Sequence, residues 1–450
     1  MMQTCLLEGL NSVLKVSIAL SLVVAMSMFI TSQSMADWIK VDNAVQTCYQ
    51  KGVPHTDRNG HMLSKYDPQR SFLPIGIYHF VLDDQSSGIL GFDYLAASGF
   101  NCCHYCELQK LSDLIGDAEK SGIQLFPHHP TDEDVKAYKD SPAILGWYLD
   151  EEATGFYWGP NMEAAFKKFL ARRDAIKAID PNHPVFALDA CWITPPATDW
   201  WVKWNSSGDV TSHDNYPLNG KHTSLSYDMG IPESISLAVS SVKQKKPMWF
   251  CAQAHSYDDP KFRCVFPTPM QERCMIYTAL IHGATGIIYF GIDSYILRGG
   301  KCIGIAPDPQ PDYNRSTSPD RVKANARQLA ASRELWETVV GLNREIAGLR
   351  PSILSPTASV PYEVYIQDLP PSVSSSPIRT LLKTNPAGGY TLLLSNVQAK
   401  PWNARVRFPD LRKLTVNELF ADNKQIAVNG DSFDISCPGF DARAFSVYLK

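Results

Sequence analysis

Ile144-Leu145-Gly146-Trp147-Tyr148-Leu149-Asp150-Glu151-Glu152 begins as an apolar run of strand length and ends in three consecutive acids. In a strand, alternate side chains face opposite ways. Leu145, Trp147 and Leu149 are expected on one face, packed under a helix. Ile144, Gly146, Tyr148, Asp150 and Glu152 share the other. Burying even one unpaired carboxylate is costly. The strand is therefore expected to surface at its C-terminal end, with Asp150 and Glu152 aimed into a cleft.

Outward from this stretch, short apolar runs alternate with helical patterns. Four strands are expected before or at it: Phe72 to Phe80, Gly99 to Tyr105, Gly122 to Pro127 and Ile144 to Glu152. Four more follow, at His183 to Asp189, Asp209 to Asp214, Pro247 to Gln253 and Gly286 to Phe290. Between them the apolar spacing predicts helices at Leu108 to Ser121, Asp132 to Tyr138 (capped by Thr131), Asn161 to Ile179, Pro232 to Val242 and Pro269 to His282. A long helix from Val322 to Leu349 follows the last strand. Strands alternating with helices imply a parallel sheet, and eight of them imply a closed (β/α)8 TIM barrel. No GxGxxG opens any of the helices, which argues against dinucleotide binding.

The rest of the chain divides around this barrel. At 450 residues the chain accommodates a large domain and a smaller one. After Pro351 the pattern changes to short alternating strands at Val360 to Tyr365, Arg379 to Leu382, Tyr390 to Ser395, Ala404 to Phe408, Lys413 to Leu419 and Ala444 to Leu449. That is the pattern of a small β-sandwich. The expected organisation is an export signal over 1–36, a lead-in hairpin over 37–70 with a turn at Asp57-Arg58-Asn59-Gly60, the catalytic barrel over 71–350 and the sandwich over 351–450. The signal rests on Lys15, the apolar run Val16 to Ile30 and the small residues of Ser34-Met35-Ala36. Cleavage near Ala36 predicts an exported protein, periplasmic or extracellular, with no membrane segment in its mature form. Residues 291–320 are rich in Gly, Pro and Asp and read either as a cleft wall or lid, or as a disordered insertion.

Net charge is −4 and no basic field points to nucleic acid. Eleven cysteines in an exported chain permit disulfides. Cys264 and Cys302, in loops that bracket one helix and one strand, are the expected pair. Cys102-Cys103-x-x-Cys106 has the spacing of half a zinc site but lacks a second CxxC.

Barrel enzymes build their sites at the C-terminal ends of the strands. Those ends carry Tyr78; His104; His128 and His129; Asp150, Glu151 and Glu152; Asp189 and Trp192; His213, Asp214 and Tyr216; Gln253 and His255; Tyr289 and Asp293. Acids and aromatics, without a Ser-His-Asp order or a phosphate loop, fit glycoside hydrolysis, which needs a protonated carboxyl for the leaving oxygen and usually a second carboxylate. Glu152 is the first candidate for the acid.

Several stretches resemble (β/α)8 glycoside hydrolases akin to the β-galactosidase superclan. They are Pro74-Ile75-Gly76-Ile77-Tyr78, Gly146 to Glu152, His213-Asp214-x-Tyr216-Pro217, Pro247-Met248-Trp249 with Gln253-Ala254, Tyr277 to Phe290, and Val416-Asn417-Glu418-Leu419-Phe420 near the C-terminus. The resemblance implies a retaining glycosidase with a terminal β-domain and a carbohydrate substrate. It puts Glu152 on the family's acid/base and Glu151 on the Asn or Asp before it. Two departures stand out. Ala153 replaces a Pro, and the seventh strand ends in Cys251-Ala252-Gln253-Ala254-His255 where the family has a nucleophilic Glu. Gln cannot attack an anomeric carbon, so either Asp214 or Asp293 supplies the second carboxylate, with Asp214 preferred, or the mechanism is not classical retention, or the protein does not hydrolyse. The catalytic candidates are thus Glu152, Asp214, Glu151 and Asp150. For substrate binding, His213 and Tyr216 orient the sugar and Trp147, Trp192 and Tyr289 form its platform, with Tyr78, His104, His128, Gln253 and His255 around them. No cofactor is expected. Two other readings remain open: a barrel that binds carbohydrate without hydrolysing it, and a metal-dependent hydrolase or lyase using His104, His128, His129 and His255.

Overall fold

The computed structural model describes residues 37–42, 44–80, 91–105, 110–156, 160–190, 197–258, 263–291, 295–297, 300–313, 322–373, 375–409 and 413–449. The expected export signal over 1–36, Trp192 and Asp293 lie outside the described residues.

The eight expected strands form one parallel sheet: β1 (Ile75–Phe80), β2 (Cys102–Tyr105), β3 (Gln124–Leu125), β4 (Trp147–Glu151), β5 (Val185–Leu188), β6 (Thr211–Asn215), β7 (Met248–Gln253) and β8 (Gly286–Phe290). The sheet order runs β3, β2, β1, β8, β7, β6, β5, β4. Parallel bridges Leu125 to Ile144 and His128 to Tyr148 join its two edges and close the barrel. Closure removes both edges, so every strand donates to a neighbour on each side.

Each strand is followed by a helix: α1 (Phe92–Ala97), α2 (Leu111–Ser121), α3 (Asp132–Tyr138), α4 (Pro160–Ile179), α5 (Ala197–Ser207), α6 (Ile231–Ser241), α7 (Pro269–His282) and α8 (Ala326–Ile353). Thr131 and Thr268 cap α3 and α7 through reciprocal bonds with Asp134 and Gln271. The sequence reading has no helix between β5 and β6, where α5 lies. Its Trp201 and Trp204 are buried against the barrel, and tertiary packing rather than propensity makes the helix. The last helix begins at Ala326, capped by Asn325, and not at Val322, which pairs in a short strand with Tyr313.

Strand alternation sorts the barrel side chains into two cores. Tyr78, Cys102, Tyr148, Phe186, Leu188, Trp249, Cys251, Ile288 and Phe290 point inward. Ile77, Cys103, Trp147, Leu149, Val185, Ala187, Phe250, Ala252, Ile287 and Tyr289 point outward under the helices. Leu145 departs from expectation. It joins the interior, because the chain shifts phase at Gly146 before the regular strand begins at Trp147. A Cβ at Gly146 would sit 2.8 Å from the Pro184 carbonyl, so glycine lets the chain pass.

The expected lead-in hairpin is present, His55–Asp57 against Met62–Leu63, with Ser71–Phe72 as a third strand. Phe72 plugs the closed end of the barrel. The start of the lead-in does something else: Trp38–Val41 pairs with Glu363–Gln367 and becomes an edge of the C-terminal domain. That domain is a β-sandwich of two four-stranded antiparallel sheets. One holds Trp38–Val41, Glu363–Gln367, Trp402–Arg407 and Ser432–Cys437; the other holds Ile378–Thr384, Tyr390–Asn396, Ala442–Leu449 and Leu414–Glu418. Val364, Ile366, Ala404, Val406, Phe433 and Ile435 meet Leu382, Leu392, Leu394, Phe445 and Val447 between the sheets. The second sheet turns Leu381, Leu393, Ala442 and Ala444 onto the barrel helices. Arg273 of α7 ties the layers, donating to the Ala442 carbonyl at 2.7 Å and to Glu345 at 2.6 Å.

The loop region after β8 is not bare. Tyr295–Leu297 and Gly300–Ile303 join Ser256–Asp258 and Arg263–Cys264 in a four-stranded antiparallel sheet over the strand ends. This sheet also rules out the expected disulfide. Cys264 and Cys302 both pair with Tyr257, from opposite sides. They are therefore two strand spacings apart, about 9.5 Å, and a disulfide needs Cα atoms within about 7 Å. Both side chains are buried.

Candidate active site

The C-terminal ends of the strands form the mouth of the barrel, and acids from three strands meet there. Their arrangement depends on one irregularity in β4. Tyr148 pairs with Phe186 and Glu151 with Leu188, so three steps on β4 match two on β5. The bulge brings Glu151, rather than Asp150, to the face of Tyr148. The charge of Glu151 accordingly acts on Tyr78, Tyr148 and Cys251 in the barrel interior. Asp150 accepts the Glu151 N–H at 3.0 Å, and burial lifts its carboxyl to about 6.

Glu152 follows with φ of +45°, a left-handed conformation that costs a non-glycine residue roughly 1–2 kcal/mol. Its N–H donates to the Leu188 carbonyl at 2.8 Å. The turn behind it is held by Asp189, whose Oδ1 accepts from both the N–H (3.1 Å) and the hydroxyl (2.8 Å) of Thr154. Asp189 is 1% exposed and its Oδ2 has no partner. Burial pushes its carboxyl well up, with the charges of Glu152 and Asp150 adding to the effect against the Thr154 bonds. Strain at a mouth residue, held by a buried partner, is the pattern of a functional site. Asp189 was visible in the sequence as a strand-end acid, but nothing there marked it as the brace of Glu152.

Glu152 reaches Asp214 on β6. Asp214 is 2% exposed. Burial, then the neighbouring Glu152, with which it shares a hydrogen bond, raises its carboxyl far above the carboxylate range; the Tyr216 hydroxyl opposes the shift. A carboxyl this dry with a second one beside it favours its protonated form. Cys251 lies beside Asp214 in register on β7 and completes the acid pocket; burial and then Asp214 push its thiol up.

Below the acids is an aromatic bowl. The hydroxyls of Tyr78 and Tyr148 bond at 2.7 Å. His104 stacks on Tyr78 with ring centres 4.2 Å apart, and His128 stacks on His129 at 3.8 Å. Phe126, Phe186 and Trp249 form the floor. Across the mouth, half-buried Tyr216 packs on His255 (4.9 Å) and Phe290 (5.4 Å). Burial lowers His255 to about 3, so it is neutral.

Four expected sugar contacts are not in the cleft. Trp147 points outward, fully buried, its indole N–H donating to Asp180 at 2.7 Å. Tyr289 points outward too, edge-on to Phe100 at 6.2 Å. So does His213, which bonds Ser234 of α6 at 3.1 Å and packs on Trp201. For these three, strand parity decides against the cleft. Gln253 faces the mouth, yet its amide is spent on backbone. It accepts from Leu218 N–H at 2.9 Å and donates to the carbonyls of Leu218 (3.2 Å) and Val265 (2.8 Å). It braces the mouth loops and offers nothing to a ligand.

The histidines do not assemble into a metal site. Among the described residues no three His, Cys, Asp or Glu side chains are placed to hold an ion. His255 lies across the mouth from His104 and His128. Cys102 points inward and Cys103 outward, so the adjacent thiols cannot share a metal; Cys106 lies outside the described residues.

Comparison with protein-family models gives no match, and comparison with curated protein sequences gives none. Solved structures do match. One described as a glycoside hydrolase aligns at a TM-score of 0.54 and 12% identity, over 88% of this chain and 97% of that one. A family 39 glycoside hydrolase from Bacteroides cellulosilyticus WH2 aligns at 0.47 and 11%, over 88% and 83%. An α-amylase from Geobacillus thermoleovorans, complexed with acarbose, aligns at 0.47 and 11%, over 84% and 98%. At this identity the likeness is one of fold, a TIM barrel with separate antiparallel sheets in its C-terminal region.

Proposed function

We propose that this chain is an exported glycoside hydrolase that cleaves a glycosidic bond in an oligo- or polysaccharide by carboxylate acid–base catalysis. The observation that carries the reading is the hydrogen-bonded pair Asp214 and Glu152, set at the mouth of an aromatic-lined barrel. A glycosidic oxygen leaves only if protonated, and a carboxyl that keeps its proton near neutral pH supplies it. Glu152, the more exposed member, donates; Asp214 holds the proton in place between turnovers. A hydrogen bond joins these two carboxyls, so they are closer than the about 5–5.5 Å of retaining enzymes or the 6.5–9.5 Å of inverting ones. Asp214 is therefore not the second carboxylate. That role falls to Glu151, whose charge is turned into the bowl by the bulge and faces the developing positive charge on the sugar ring. Tyr216 and the stacked His128 and His129 offer flat faces to the sugar in place of Trp147 and Tyr289.

A second reading, a barrel that binds carbohydrate without cleaving it, is favoured by Gln253, which occupies the place of a nucleophile and is fully bonded. A reducing-end release screen separates the two. The protein from Asp37 onward is incubated with a broad polysaccharide panel beside Glu152→Gln. Release by the wild type, reduced about 10²–10⁴-fold in the variant, supports hydrolysis. Equal release by both sinks the acid assignment. Binding without release supports the second reading.

A further inference from the structure

The end of the sandwich farthest from the mouth carries a small depression of about 430 Å³ lined by Ser359, Thr384, Asn385, Gly389, Tyr390 and Tyr448. Its position follows from the fold. Barrel helices run back along the strands, so α8 ends at the closed end of the barrel. Ser359 follows within six residues of that end, and the Thr384 N–H donates to the Pro356 carbonyl at 3.0 Å.

We infer that this depression is an accessory binding site for a neutral saccharide. None of its lining side chains carries a charge, which disfavours ionic ligands. Tyr448 is 43% exposed, unusual for a large aromatic in this chain. Its ring is seated by Gly389. A Cβ there would lie 2.8 Å from the ring, and the residue has φ of +71°. The ring is thus backed on one side and open on the other, the geometry that stacks on the C–H face of a pyranose. Hydroxyls surround it. Those of Ser359, Thr384, Tyr390 and Tyr448 make no hydrogen bond within the protein among the described residues. Asn385 spends its oxygen on the Ala387 N–H at 2.9 Å, while its amide nitrogen reaches only Thr391 at 3.5 Å, leaving an N–H to give. Sugar hydroxyls both donate and accept and match this mixed set. The volume fits one or two sugar units. At the end opposite the mouth, the site holds a chain that the cleft does not grip, and it adds avidity on a polymer.

The inference stands on this lining and does not require hydrolysis. Native affinity electrophoresis through gels containing amylose, xylan, soluble cellulose or mixed-linkage glucan tests it, with polygalacturonate as the anionic control. Wild type, Tyr448→Ala and Tyr448→Trp are compared. Retardation by at least one neutral polymer is expected. It weakens about threefold to tenfold in Tyr448→Ala, the range for losing one aromatic contact, and is restored in Tyr448→Trp. Activity on a short soluble oligosaccharide is unchanged in Tyr448→Ala. Equal retardation of wild type and Tyr448→Ala overturns the proposal, as does retardation by polygalacturonate alone or by nothing. Tyr448-dependent retardation without hydrolysis by any form would refute the proposed activity and leave this site standing.

Discussion

Glu272 of α7 is 0% exposed, and neither carboxyl oxygen has a hydrogen-bond partner. The hydroxyl of Tyr289, on which the charge of Glu272 acts, is also without a partner. Burial alone raises the Glu272 carboxyl far above its usual value. Folding therefore keeps a proton that the unfolded chain releases near pH 4.3. The folded state binds more protons, so this group favours folding below that pH and its contribution is lost as pH rises toward the folded value. While the folded carboxyl stays neutral, each pH unit removes about 1.4 kcal/mol. Between pH 5 and 7 the loss is about 2.5 kcal/mol. Glu272→Gln abolishes this dependence. At a single pH the comparison also contains the amide's own burial cost, but the slope does not. Urea unfolding of both proteins at pH 5, 6 and 7 gives the double difference. The expected result is a stability gap that shifts in favour of the variant by about 1.4 kcal/mol per unit. A gap constant with pH would refute the reasoning, because it would mean that the carboxyl is ionised in the folded protein or equally protonated in both states.

Two further outcomes concern the mouth and its covering sheet. Asp189→Ala should cost about 1–3 kcal/mol of stability, by freeing the buried Thr154 donors, and should lower kcat by loosening Glu152. Asp189→Asn keeps an acceptor for Thr154 and should recover most of the stability; a kcat and pH–rate profile unchanged in both variants would remove Asp189 from the positioning of Glu152. Cys264 should be alkylated on unfolding in the absence of reductant, and no peptide should link it to Cys302, as read by peptide mass. A linked Cys264–Cys302 peptide would show that the register of this sheet is wrong.

The sequence by itself determined the architecture. Eight apolar runs separated by helical patterns have few solutions other than a closed parallel barrel, and all eight strands lie where the alternation puts them. The acidic end of the fourth strand was equally legible, because three consecutive acids after an apolar run must surface. Which of those acids enters the barrel was not. A single bulge between Tyr148 and Glu151 exchanges Asp150 for Glu151, and a bulge is set by pairing with Phe186 and Leu188, not by local sequence. Parity likewise settled Trp147, His213 and Tyr289, whose residue types suit a sugar site but whose side chains point under the helices. The hydrogen bond between Glu152 and Asp214 joins residues 62 positions apart, and Asp189 braces Thr154 across two strands. No spacing rule reports such contacts. The same limit explains Cys264 and Cys302, neighbours in the chain's loop order yet separated by an intervening strand, and Trp38–Val41, which leaves the lead-in to pair more than 300 residues away. Periodicity records which face of an element is buried, whereas the site depends on which elements meet, and only the closed barrel decides that.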